Sequence, residues 1–117
     1  MTPAETRAAY SLNMDAVGET ITIRRFTGTG VGRVASDTDV RARVTGYDYR
    51  ELVGTIQQGD RKVIVLYEDL IGAGFAVPVL PTDKIVLRGT MISIVTVDDS
   101  TRRLQGELMA YEIQARG

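Results

Sequence analysis

The sequence contains no cysteine, no histidine and no tryptophan among its 117 residues. Without cysteine and histidine the chain lacks disulfides, thiol nucleophiles, the usual zinc ligands and the base of a serine–histidine triad. We therefore expect no enzyme activity, no catalytic residue, no cofactor and no metal site. Fourteen basic and fifteen acidic residues leave a net charge of −1. This balance excludes a protein that grips nucleic acid through an overall basic field.

The composition is that of a folded domain, with 44% apolar and 25% charged residues. A chain of this length buries enough surface for one hydrophobic core and no second domain, so a single domain is expected over residues 1–117. Neither a signal peptide nor a membrane span is expected, because the chain has no basic start followed by an apolar run and no apolar window of sufficient length.

The first eighteen residues predict a short helix. Thr2 stands at the N-cap, Pro3 at the first helical position and Glu5 three residues after the cap, which is the pattern of a capping box. Gly18 marks the C-terminal end of the predicted helix. The apolar stripe between these signals is narrow, so the helix is expected to dock weakly or to lie on a partner.

From residue 19 onward the polar and apolar residues alternate with a period of two, which predicts strands. Residues 62–67 are apolar on both faces and predict a central strand, and Gly89-Thr90 predicts a tight hairpin. The fold class is therefore mainly β, a small antiparallel barrel or sandwich of about six strands over residues 19–114 with long loops. The predicted strands are 20–24, 40–45, 62–67, 84–88, 91–97 and about 104–114.

A glycine-rich connection at residues 27–39 predicts an exposed, mobile excursion. Its glycines, Gly28, Gly30 and Gly32, have neither the spacing nor the strand–loop–helix context of a nucleotide-binding loop. We regard them as a candidate interaction loop. A helical turn is expected at residues 47–56.

The segment from Leu70 to Pro81 is apolar, which is unusual for a connection. It either folds back as a lid over an open barrel end or is buried against a neighbouring subunit, because monomers seldom expose so much contiguous apolar surface. Leu70, Ile71, Phe75 and Val77 are the candidate interface residues. On the second alternative, Phe75→Ser is expected to weaken assembly without unfolding the barrel.

Twelve of the fourteen basic residues are arginine. If the first two strands pair, Arg24, Arg25, Arg41 and Arg43 form a basic stripe. The stripe is either a solvated sheet face, a source of ion pairs to a neighbouring subunit, or a phosphate contact. Arg41 and Arg43 are the candidates for inter-subunit ion pairs.

The C-terminal half has a recognisable sequence. Residues 81–98 read P-x-D-K-I-V-L-x-G-x-x-I-x-I-V-x-V-D, and residues 104–112 read L-x-G-x-L-x-A-x-E. Together with the strand at 40–44, this order resembles the head–tail joining (head-closure, or adaptor) proteins of long-tailed bacteriophages and of gene transfer particles. The resemblance spans residues 19–114.

The resemblance implies a structural protein of the virion neck, assembled in the cytoplasm of the host bacterium. Such a protein forms a homo-oligomeric ring between the portal or adaptor protein and the tail, extends the DNA channel and helps to retain packaged double-stranded DNA. The DNA passes through without sequence-specific binding, and no membrane is involved. Two alternatives stay open, namely a tail-completion (terminator) protein and a small barrel that binds an oligonucleotide or oligosaccharide.

Overall fold

Six antiparallel strands close into a barrel, which confirms the predicted fold class. The computed structural model describes residues 2–28, 30–51, 54 and 56–117, with the side chain of Tyr49 excepted. In chain order the elements are α1 (Pro3–Val17), β1 (Glu19–Thr27), a 3-10 turn (Gly30–Gly32), β2 (Val34–Gly46), a second 3-10 turn (Tyr49–Glu51), β3 (Arg61–Leu66), α2 (Tyr67–Gly72), β4 (Lys84–Leu87), β5 (Thr90–Asp98), β6 (Arg103–Leu104), β7 (Glu107–Leu108) and β8 (Ala110–Arg116).

The strand order around the barrel determines the course of one long connection. The order is β1–β2–β3–β8–β5–β4 and back to β1, so β3 and β4 lie three strands apart in either direction. Residues 67–83, which join them, therefore cross one end of the barrel. We call these residues the cap segment and this end the capped end. Because neighbouring strands are antiparallel, the β1–β2 connection and residues 99–109 emerge at the same end.

The barrel interior is filled by the apolar side chains of the alternating strand positions. Polar residues at the other positions face outward, as the period of two predicts. The inward residues of the six strands that form the main core are Ile21, Ile23, Val40, Ala42, Val63, Val65, Ile85, Leu87, Ile92, Ile94, Tyr111, Ile113 and Ala115.

Strand β3 is buried on both faces from Val63 to Leu66, which explains why these four residues are all apolar. Its inward side chains belong to the main core, whereas Ile64 and Leu66 face outward beneath α1. There they pack with Met14 of the helix and Ala110 of β8. The second apolar face of β3 is thus explained by the helix that covers it.

Helix α1 begins with the predicted capping box. The Thr2 side chain accepts a hydrogen bond from the Glu5 backbone, and the Glu5 side chain accepts one from the Thr2 backbone. Among the helix side chains described, only Met14 is fully buried. Gly18 follows the helix with an extended backbone, and a Cβ there would lie 2.5 Å from the Met14 carbonyl oxygen. Glycine is therefore needed at this junction because the chain passes so close to the helix.

The connection predicted at residues 27–39 is mostly strand. β1 and β2 stay paired from Glu19↔Ala42 to Thr27↔Val34, so only a short turn separates them. Arg24 and Asp37 face each other across the two strands and form a two-pronged ion pair with distances of 2.8 and 3.0 Å. Cross-strand side-chain pairs of this kind stabilise the ribbon, and sequence periodicity did not reveal them.

Two turns differ from the predicted positions. The hairpin between β4 and β5 turns at Arg88 and Gly89, both with positive φ, whereas the prediction placed it at Gly89-Thr90. The last predicted strand, 104–114, is interrupted because Gln105 and Gly106 also have positive φ and turn β6 into β7. Of the helical turn predicted at 47–56, residues 49–51 form the second 3-10 turn, and Leu52, Val53 and Thr55 lie outside the described residues.

The end of the barrel opposite the cap segment is held by a buried carboxylate. Asp60 accepts hydrogen bonds from Arg116 Nε and Nη2 at 2.8 and 2.9 Å, from Gln114 Nε2 at 2.8 Å and from the Gln57 backbone at 3.0 Å. These donors, with Arg116 foremost, lower the pKa of Asp60 far below its ordinary value. The carboxylate therefore ties the start of β3 to the end of β8.

We predict that Asp60→Asn lowers the free energy of unfolding at pH 7. Because the folded pKa of Asp60 lies below the unfolded value of about 4, the stability that it contributes is present above that pH and is lost as the pH falls below it. The difference in the free energy of unfolding between wild type and Asp60→Asn should therefore become smaller in acid. Urea unfolding of both proteins at pH 7, 4 and 3 measures this difference.

Glu68→Gln serves as the control, because Glu68 is exposed and has no ion pair within the described structure. If the wild type and Asp60→Asn lose stability equally as the pH falls, the stabilising role of the Asp60 carboxylate is contradicted.

Candidate functional site: the capped end

The cap segment folds into the barrel that it covers. Leu70, Phe75 and Val79 are buried in the main core, and Val77 is half-buried against it. Of the candidate interface residues in this segment, Ile71 is the one that stays exposed, at 50%. Phe75→Ser would therefore remove a core side chain, and this overturns the expectation that it leaves the barrel intact.

An arginine of β1 connects residues 75–83 of the cap segment to the barrel wall. Arg25 of β1 donates to both Asp83 carboxylate oxygens at 2.9 and 2.8 Å and to the backbone carbonyl oxygens of Ala76 and Pro78. Its guanidinium also stacks over the Phe75 ring, 4.5 Å from the centroid. The bonds to Asp83 raise the pKa of Arg25 further. We call this cluster the Arg25 lock.

The Arg25 lock was missed by sequence reasoning, although a signal exists. The inward positions of β1 are Ile21 and Ile23, and the next residue in that phase is Arg25. A charged residue at an apolar position requires a buried partner, and Asp83, which is almost fully buried, supplies it. Asp83 also accepts from the Leu80 backbone at 2.9 Å, so it shapes the turn before β4.

The three candidate glycines lie at the tip of a projecting ribbon. β4 pairs with β1 only at residues 22–24, and β3 pairs with β2 only at residues 42–46. Residues 26–28 and 30–35 therefore extend past the barrel as a two-stranded ribbon, which we call the arm. Gly28 and Gly30 have positive φ in its turn, and Gly32 ends the 3-10 turn there.

The two candidate arginines of β2 differ in their partners. Arg41 binds both oxygens of Asp69 at 3.0 Å and also contacts the Asp15 carboxylate, so its charge is compensated within the chain. These bonds, the one to Asp69 foremost, raise its pKa. Arg43 is exposed and has no ion pair among the described residues. Of the two, Arg43 therefore remains open to a neighbouring subunit.

An open groove of about 440 Å³ lies beside Arg41. It runs between the outer face of β1 and β2 and the short helix α2. Three carboxylates and one guanidinium line it, so its surface is acidic. The lining residues are Thr20, Asp39, Val40, Arg41, Glu68, Asp69, Gly72 and Ala73.

Two further properties of the described residues bear on possible ligands. No group of three or more of their acidic side chains is arranged to hold a metal ion. In the same part of the chain, no helix has the length and apolar character needed to cross a membrane.

No protein-family model matches the sequence, and no curated protein is significantly similar to it.

We predict that Arg25→Ala destabilises the protein by about 2 kcal/mol, because it leaves the buried Asp83 carboxylate and two carbonyl oxygens without their donor. Chemical denaturation measures the loss. Relative to wild type, hydrogen exchange in Arg25→Ala should accelerate more at residues 73–83 than in β3 or β8.

Arg24→Ala is the matched control, since Arg24 is the preceding residue but pairs with Asp37 on the exposed face. It is expected to change stability little, because exposed ion pairs contribute little. Equal losses for the two variants would contradict the lock.

Proposed function

We propose that this protein is a non-enzymatic connector of a phage-type virion neck, which assembles as a ring between the portal or adaptor and the tail. The observation that carries the proposal is the asymmetry of the barrel. The arm, the cap segment and the β6–β7 hairpin all emerge at one end, whereas the other end carries the β4–β5 turn, the junction of α1 with β1 and the connection from β2 to β3. A neck component has to present different surfaces to the proteins on either side of it.

The exposed apolar side chains support an assembly role. Val31 and Val34 are exposed on the arm, and Ile71 and Leu80 are exposed on the cap segment. Ring closure uses a heterologous interface, in which two different patches of each subunit meet. The arm and the cap segment provide two such patches on separate parts of the surface.

The electrostatics are compatible with a channel through which DNA slides. Several arginines are neutralised within the chain, among them Arg24 by Asp37, Arg88 by Glu19 and Arg41 by Asp69. A strongly basic lumen would retard DNA, because each phosphate contact releases counterions and adds to the affinity. A ring of nearly neutral subunits avoids this retention.

The oligonucleotide-binding alternative has less support from the described side chains. Binding of single strands usually depends on exposed aromatic rings on which bases stack. Here Phe75 and Tyr111 are buried, Phe26 is covered by Arg33, and Tyr47 lies beneath Lys62. Titration with single-stranded DNA at two salt concentrations tests this alternative, which tight and salt-dependent binding would favour.

Deletion of the gene, followed by complementation, tests the proposed function directly. We expect the deletion to leave DNA-filled heads and free tails unjoined, and purified protein added to the lysate to restore infectious particles. Electron microscopy and particle titre measure the outcome. Normal joined particles that lack the protein would overturn the proposal.

We predict that Ile71→Asp lowers this restoration at least about tenfold without changing the thermal midpoint, because it places a charge in an apolar contact of the cap segment. Met91→Asp is the matched control, because Met91 is also apolar and 51% exposed but lies at the start of β5, away from the capped end. Equal restoration by the two variants would show that Ile71 is outside the interface.

A further inference from the structure

The tip of the arm is an apolar and basic knob. Val31 is fully exposed and Val34 largely so. Arg33 stacks over the Phe26 ring, 3.9 Å from its centroid, and none of the described carboxylates forms an ion pair with it. The arm contains no acidic residue, so the Arg33 charge is not compensated locally. The stacking fixes the guanidinium in place beside the exposed valines.

The groove between β2 and α2 has the complementary character. Asp69 compensates Arg41, which leaves Asp39 and Glu68 as lining carboxylates without a basic partner in the described structure. Asp39 is held in position by the Thr22 hydroxyl, which donates to it at 2.6 Å. Val40, Gly72 and Ala73 contribute to the apolar part of the lining.

The knob cannot reach the groove of its own chain. Arg33 precedes Asp39 by six residues along one extended strand, a separation of about 20 Å at roughly 3.4 Å per residue. Pairing with β1 keeps this stretch of β2 extended, so the tip lies at a distance from its own groove. Only the arm of a second molecule can therefore bring such a knob to this groove.

We propose that the arm tip of one subunit docks in the β2–α2 groove of the next, with Arg33 facing Asp39 and Glu68 and with Val31 against Ala73. In this head-to-tail contact the knob and the groove of each subunit meet two different neighbours, so the contact repeats from subunit to subunit. This inference deepens the proposed function by naming the interface of the ring, and it rests on that function for its biological setting.

Disulfide trapping tests the contact, because the natural chain has no cysteine. Val31→Cys and Ala73→Cys are made as separate proteins, mixed and mildly oxidised. We expect a cross-linked heterodimer from the mixture. The double variant Val31→Cys/Ala73→Cys should give a ladder of dimers, trimers and larger species, because each molecule carries both halves of the contact.

Arg50→Cys mixed with Ala73→Cys controls for random collision, since Arg50 is exposed near the opposite end. A yield from Val31→Cys with Ala73→Cys no higher than this control would overturn the inference. A double variant that stops at dimers would overturn the head-to-tail arrangement.

Charge reversal tests the named ion pairs. Arg33→Glu in the Val31→Cys protein should lower the cross-linking yield at least about fivefold, because like charges then face each other. Glu68→Arg in the Ala73→Cys partner should restore it. Thermal unfolding verifies that each variant is folded. If Arg33→Glu lowers the cross-linking yield and Glu68→Arg in the partner does not restore it, the pairing of Arg33 with Glu68 is overturned.

The same cysteines separate this inference from the proposed function. If the protein restores joined particles but Val31 and Ala73 do not cross-link within them, the docking is overturned and the neck role stands. If the cross-linked ladder forms in solution but the protein is absent from particles, the neck role is overturned and the head-to-tail contact stands.

Discussion

Arg25 holds together parts of the molecule that are distant in the chain. The barrel places β3 and β4 on opposite sides, so the cap segment has to cross an open end, and its backbone there cannot join a sheet. The guanidinium supplies donors to two of those carbonyl groups and to the Asp83 carboxylate, and its plane covers the Phe75 ring. One side chain thus satisfies a buried carboxylate and two backbone carbonyl groups of the crossing and covers the core ring beneath them.

This arrangement gives the cap segment two different faces. Leu70 and Phe75 face inward and complete the core, whereas Ile71 and Leu80 face solvent on the other side of the same segment. Because the core side of the segment is anchored, its solvent side presents apolar side chains in fixed positions. A pre-ordered surface of this kind loses less conformational entropy when a partner docks. The two alternatives for this segment, a lid and an interface, are therefore compatible with each other.

The elements predicted from sequence are those that local chemistry determines. The capping box of α1 and the alternation of the strands needed no knowledge of distant residues. Helix α2 was not predicted, because its N-cap residue makes no side-chain hydrogen bond and its first turn follows a strand directly. The partner of Arg41 lies 28 residues away, on an element that becomes its neighbour only when the barrel closes. The Arg25 lock depends on the same closure.

The arm stands outside the closed hydrogen-bond circuit of the barrel. Its two strands pair with each other beyond Arg25 and Ser36, and the ring of six strands is complete without them. Residues can therefore be added to or removed from the ribbon in matched pairs, one on each strand, while the inward and outward alternation is kept. Two residues on each strand change the reach by about 7 Å. On the proposed docking, such a change would alter the spacing between subunits without altering the core.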